Sequence, residues 1–184
     1  LSVGTRQGLR RLREGVPDVA VISGSASPGV ESEELAAWER EWGLVVPAGN
    51  PEGIEGLGDL VDRDLRLINR TTDSGLRTTL GEAIADLSDE HGTTRHELVE
   101  SIDGFELAAR AHESPARRVA AGAADAGLGL RATAARLDLG FVSLGTETVR
   151  VLANPGRADK EGMAELRDVL AHADDVLDDL AGYQ

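Results

Sequence analysis

Short apolar runs alternate along this chain with stretches of helical period. That alternation limits the fold more than any other feature, because it is the pattern of a sheet interleaved with helices. Val19-Ala20-Val21-Ile22, Leu44-Val45-Val46, Leu65-Arg66-Leu67-Ile68, Ala124 to Leu130, Phe141 to Leu144 and Val149 to Leu152 read as strands. Leu9 and Leu12 fit a short helix after Leu1-Ser2-Val3-Gly4, which reads as the end of another strand. Leu76, Leu80, Ile84 and Leu87 share one face of a second helix, and Leu98, Ile102 and Phe105 one face of a third. Ser114-Pro115 opens a further helix, with Ser at the N-cap and Pro at N1, and Arg131 to Leu137 reads as a short one. Residues 24–34 and 48–53, rich in Gly, Ser, Asn and Pro, read as loop and turn.

In the last helix Met163, Leu166, Leu170, Ala173, Leu177 and Leu180 recur at three- and four-residue steps. A coiled-coil seam and a helix docked on a sheet share that spacing, and docking is the reading adopted. Asp168, Asp174, Asp175, Asp178 and Asp179 on its other side read as a solvated face rather than a metal cluster.

Composition removes whole classes of function. With no cysteine there is no disulfide scaffold, zinc ribbon, iron–sulfur site or thiol nucleophile. No apolar run approaches the ~20 residues of a membrane span. The 184 residues suit one domain or two small lobes. Thirty-three acidic residues against 19 basic ones give a net charge of −14, so direct nucleic-acid binding by this domain is not expected. Lys160 is the one lysine among the basic residues. An acidic, arginine-dominated chain fits a halophilic protein, in molar salt where the Debye length is ~3 Å; an ordinary acidic bacterial protein is the other reading. Leu1 to Thr5 shows no basic or apolar leader features. The expected location is cytoplasmic, or extracellular if a signal peptide precedes Leu1. Oligomeric state is not legible.

The strongest local signal is Asn69-Arg70-Thr71-Thr72-Asp73-Ser74-Gly75-Leu76-Arg77. A buried strand ends in a polar, glycine-containing loop where a helix begins. Free N–H groups and the positive end of the helix dipole favour an anion there. Ser74 adds a hydroxyl, Gly75 allows close approach, and Arg70 and Arg77 offer forked donors. Plain N-capping by Asp73 or Ser74 beside two surface arginines explains the same residues. Thr5 after Gly4, and His112 with Ser114, open two further helices that either contribute donors or are routine turns and caps. Enzyme signatures are missing: the four histidines are scattered, and no nucleophile elbow, Walker loop or dinucleotide fingerprint occurs. The chain is read as non-enzymatic, with no cofactor and no metal site.

Val3 to Ala20, Gly43 to Ile54, Ile68 to Arg77, His112 through Gly129 and Gly182-Tyr183 resemble, in order, the periplasmic-binding-protein-like domain related to type 2 solute-binding proteins of the molybdate and tungstate class. Val3 to Leu9 with Gly15 to Ala20 matches its first block, and Gly43-Leu44-Val45-Val46-Pro47-Ala48-Gly49-Asn50-Pro51-Glu52-Gly53-Ile54 its second. Ile68 to Arg77 is similar to the family's most distinctive block. His112 through Gly129 is similar to its fourth, and Gly182-Tyr183 to its ending. Thr5 stands where the family usually has serine, Asp73 where it has glycine, and Leu76 and Ala111 where it has threonine. The segment after Ile22 is shortened and lacks the family's histidine–leucine pair.

The resemblance implies an α/β, two-lobed type 2 periplasmic-binding-protein-like fold with crossover strands near 43–48 and 147–153. Lobe one would be 1–48 plus 149–184, without the family's first strand and helix, and lobe two 49–148. A ligand would lie in the cleft between them. It implies a non-catalytic binding or sensing domain for a small anion, either a molybdate- or tungstate-type oxyanion or a molybdopterin-related compound. Thr5, Asn69, Arg70, Ser74, Gly75, Arg77, His112 and Ser114 would hold it. Such domains occur alone, with winged-helix regulators of the ModE type, or fused to molybdopterin-biosynthesis proteins. A regulator or cofactor protein with a fused DNA-binding or biosynthetic domain is thus the first expectation. The solute-binding component of an ABC importer and the ligand domain of a biosynthetic enzyme are the alternatives.

Overall fold

In the computed structural model, residues 4–24 and 29–184 are described. The strand read at Leu1 to Gly4 and part of the loop read at 24–34 fall outside them. Six strands form a curled mixed sheet in the order β1-β6-β2-β5-β3-β4. They are β1 (Val19–Ser23), β2 (Glu33–Val46), β3 (Leu67–Arg70), β4 (Ala108–Ala109), β5 (Ala126–Leu130) and β6 (Gly140–Ala153). The 14-residue strands β2 and β6 run antiparallel along their whole length. β1 pairs antiparallel with β6, β5 antiparallel with β2, and β3 lies parallel to both β4 and β5.

Around the sheet lie α1 (Thr5–Arg13), α2 (Leu57–Asp62), α3 (Gly75–His91), α4 (Arg95–Ser101), α5 (Ser114–Ala120), α6 (Arg131–Arg136), α7 (Met163–Ala171) and α8 (Asp174–Leu177). The largest apolar cluster joins Trp42, Leu44 and Val46 of β2 and Leu128 of β5 to Leu76, Leu80 and Ile84 of α3 and Leu98 of α4. Full burial of a leucine or isoleucine there is worth roughly 1.5–3 kcal/mol, which is what holds α3 on the sheet. A separate, smaller cluster packs Leu12 of α1 on Ala20, Ile22 and Leu152.

Several expected boundaries move. β2 starts at Glu33, not Leu44, because its first ten residues are mostly charged or half-buried and only Trp38, Arg40 and Trp42 mark a two-residue period. Phe141 to Leu144 and Val149 to Leu152 are one strand: Gly145, at φ +151°, sits at an irregularity opposite Trp42, and the ladder continues past it. α4 stops at Ser101, so Ile102 and Phe105 are buried in the turn that follows rather than on the helix. Glu113, not Ser114, is the N-cap of α5. α2 and β4 were not expected, being only six and two residues long. The last helix breaks at His172–Ala173, and its seam packs only in part: Met163 is buried, Leu166, Leu170, Ala173 and Leu177 are half-buried, and α7 lies against β2.

Candidate functional site

β3 is buried at all four residues and delivers Arg70 to the carboxyl end of the sheet. The loop then folds back, with the Ser74 amide donating to the Thr71 carbonyl at 2.9 Å, and α3 begins. Neither Asp73 nor Ser74 caps that helix through its side chain. The capping explanation of these residues therefore lapses, and the first turn of α3 keeps its unpaired N–H groups.

A second helix start meets it. An added Cβ on Gly4, the N-cap of α1, would collide with the Asp73 carbonyl. One on Gly75 would stand 2.6 Å from the Ser23 carbonyl oxygen and 2.9 Å from the Thr5 hydroxyl. Both glycines are thus required by close approach of backbone, and the N-termini of α1 and α3 converge on one cavity of about 370 Å³. Thr5, Arg70, Ser74, Gly75 and His112 all line it, as do Arg40 and Arg110.

The polar groups of that cavity divide into engaged and free. The Thr5 hydroxyl donates to the Ser23 carbonyl and accepts from its amide, at 3.1 and 3.3 Å, so it braces the wall. Arg70 is 5% exposed. Its Nη2 donates to the Arg110 carbonyl at 3.1 Å, while Nε and Nη1 are buried without a partner among the described residues. A buried guanidinium with two unpaired donors is costly, and most such groups in proteins are satisfied. Burial, and then the charge of Arg40, hold the Arg70 pKa below its usual value. For Arg40, burial also opposes the charge, but Glu147, helped by Tyr183, outweighs it and raises the pKa. His112 is pushed below the ordinary imidazole value by desolvation, then by Arg70 and Arg40. Arg40, Arg70, Arg110 and His112 thus crowd one cavity, and an anion there would favour the charged forms of Arg70 and His112, the two whose pKa values are lowered.

Three expected residues lie apart from the cavity lining. Asn69 is fully buried; its amide donates to the Phe105 carbonyl at 3.0 Å and accepts from the Arg70 amide at 2.8 Å. Arg77 turns the other way. Its Nη1 donates to the carbonyls of Arg70 and Phe105, each at 3.1 Å, its Nη2 to both Glu106 oxygens, and its guanidinium stacks 4.5 Å over the Phe105 ring. Ser114 is the first residue of α5, its amide bonded to the Ala111 carbonyl. Asn69 and Arg77 therefore hold the strand end that carries Arg70. Arg40 and Arg110 were not expected; the signal for Arg40 was its place between Trp38 and Trp42, and Arg110 has no local signature. Among the described residues no group of three or more His, Asp or Glu is placed to hold a metal ion, and no helix is long and apolar enough to cross a membrane.

A family model described as "PBP superfamily domain" matches residues 1–171. "Uncharacterized protein YvgK" of Bacillus subtilis (strain 168) is 35% identical over 105 residues, which are 57% of this chain and 32% of that protein. The matched segment thus spans about a third of that relative. Among solved structures, the sulfate-binding protein SubI from Mycobacterium tuberculosis is similar at TM-score 0.64 and 18% identity, over 94% of this chain and 78% of SubI. The sulfate-bound regulatory domain of an OxyR2 variant from Vibrio vulnificus follows at 0.58 and 16%, covering 92% and 78%. L-phospholactate-bound PEB3 is similar at 0.56 and 18%, covering 92% and 78%. At these identities the likeness shows the fold.

Proposed function

The chain belongs to the PBP superfamily domain family, and from that premise we propose that it is a non-catalytic domain that binds and senses a small anion in the cavity around Arg70. The fold is that of type 2 periplasmic-binding proteins, as the sequence resemblance implied. The observation that carries the reading is that Nε and Nη1 of Arg70 are buried donors without a partner among the described residues. They are joined by Ser74, which lines the cavity and whose hydroxyl does not cap α3, and by the first turns of α1 and α3, neither of which has a side-chain cap. Three structural neighbours bind sulfate or an organic phosphate by their descriptions, which supports an anion as the ligand class.

The finer reading is a molybdate- or tungstate-type oxyanion, or a molybdopterin-related compound. A cavity of about 370 Å³ has room for roughly a dozen waters at about 30 Å³ each, more than a five-atom oxyanion fills. A bare oxyanion therefore calls for closure, whereas a phosphorylated pterin would place its phosphate at Arg70 and fill the rest. The cavity draws Thr5, Arg40 and Val149 from the segments 1–48 and 149–184, and Arg70, Ser74 and His112 from 49–148. Closure of one lobe on the other is the expected response to ligand.

The test is a thermal shift in ~2 M KCl with molybdate, tungstate, sulfate and phosphate, and with a small organic phosphate, on the native chain and Arg70→Met. An anion at 100 times its dissociation constant stabilises by about 2.7 kcal/mol, several degrees for this size. The reading expects that shift from at least one of the five, and its loss in Arg70→Met. A shift of equal size in the variant would place the anion elsewhere and overturn it.

A further inference from the structure

A second surface lies away from the cavity. α7 and α8 bury Met163 and half-bury Leu166, Leu170, Ala173 and Leu177, but beside that seam Val169 is 68% exposed and Val176 67%, and Leu180, past the end of α8, 42%. With Trp38 of β2, the residues Val169, Leu170, Val176 and Leu177 enclose an apolar cleft of about 470 Å³. None of these residues lines the anion cavity. Clustered apolar exposure of this kind on a soluble surface marks an interaction site.

Charge decides what fits. Residues 159–179 hold eight carboxylates and two cations, a net −6 of the chain's −14 in a short segment. The two cations are already engaged, Lys160 with Asp18 and Arg167 with Glu33. Asp168 lines the apolar cleft, and Asp174, Asp175 and Asp178 are exposed acids flanking its Val176 and Leu177 in sequence. A second copy of the chain would bring the same acidic rim against this one, like charge on like. A helix with an apolar stripe flanked by Lys and Arg matches both the cleft and its rim.

We propose that this face docks a cationic amphipathic helix of a partner protein. The partner's apolar side chains enter the cleft beside Trp38, and its basic residues meet the rim carboxylates. The acids set orientation and association rate, and the cleft supplies the burial.

The experiment uses the full chain and two 18-residue helical peptides with the same leucine stripe, one with lysines and one with glutamates on the flanks, titrated by calorimetry. The lysine peptide is expected to bind, at least tenfold more tightly than the glutamate peptide, and more weakly in 1 M than in 0.1 M salt. Val169→Asp and Val176→Asp, at exposed positions that leave the melting temperature unchanged, should each weaken it tenfold or more. Val16→Asp, 57% exposed on another surface, should not. Absent binding, equal binding of the two peptides, or binding untouched by Val176→Asp would overturn the proposal. So would sedimentation of the free chain as a dimer that Val176→Asp dissociates, which would make a second copy the occupant.

Discussion

Arg40 and Glu147 are register partners on the two long strands, and both Nε and Nη2 of Arg40 donate to the same Glu147 oxygen, at 2.8 and 2.5 Å. The Glu147 side chain is fully buried and that of Arg40 is 11% exposed. One arginine is thus fixed in a cavity wall by a strand-to-strand pair. Glu147→Ala strands the Arg40 charge and should cost about 3 kcal/mol of unfolding free energy in urea denaturation. Arg40→Met with Glu147→Leu should recover more than half of it, since apolar replacement of both partners of a buried pair is often neutral.

Arg70 and Arg77, seven residues apart and chemically identical, should respond in opposite ways. Arg77 is satisfied by two carbonyls, Glu106 and the Phe105 ring. Arg77→Ala therefore loses charged hydrogen bonds worth about 1.5–3 kcal/mol each in favourable cases, with anion affinity reduced through displacement of Arg70. Arg70→Met removes a buried cation with two donor atoms that have no partner among the described residues, so the unliganded protein should be as stable as the native or more so while anion binding is lost. Parallel urea melts and anion titrations of the two variants check the contrast.

Gly75→Ala would ordinarily stabilise a helix by roughly 0.5–1 kcal/mol. Here the new methyl would stand 2.6 Å from the Ser23 carbonyl oxygen at the end of β1 and 2.9 Å from the Thr5 hydroxyl of α1, so α3 must retreat from both. The expected sign is reversed: the variant is destabilised, and it binds anion more weakly because the two helix N-termini no longer converge. A more stable variant with native affinity would show that the close approach is dispensable.

The fold was legible because strand cores such as Val19 to Ile22 and Leu65 to Ile68 are short apolar runs, and helix α3 keeps one apolar face through Leu76, Leu80 and Ile84. The first half of β2 was not legible, because a half-exposed strand of charged residues looks like loop until its partner is known. At the site, the sequence located Arg70, Ser74 and Gly75 through their position at a strand–helix junction. It could not separate Arg70 from Arg77, since which arginine faces the cavity depends on Phe105 and Glu106, some thirty residues later. Arg40 came into reach only through the long pairing of β2 with β6, a contact between residues 107 apart.

His112 gives the anion site a pH dependence whose sign follows from its depressed pKa. The unliganded fold disfavours the imidazolium through desolvation and the Arg70 and Arg40 charges, whereas the unfolded chain titrates near pH 6.5. Between the lowered folded value and about 6.5 the unfolded state binds more protons. Stability of the unliganded protein therefore rises with pH across that window and is lost as pH falls through it. A bound anion offsets the arginines and raises the His112 pKa, so binding takes up a proton and affinity increases as pH drops from neutral, by at most tenfold per unit for one group. His112→Gln should leave affinity nearly flat over the same range. Titration of an anion whose own charge is constant, such as sulfate, between pH 5.5 and 8 checks this, and an affinity that falls on acidification would show that His112 does not face the ligand.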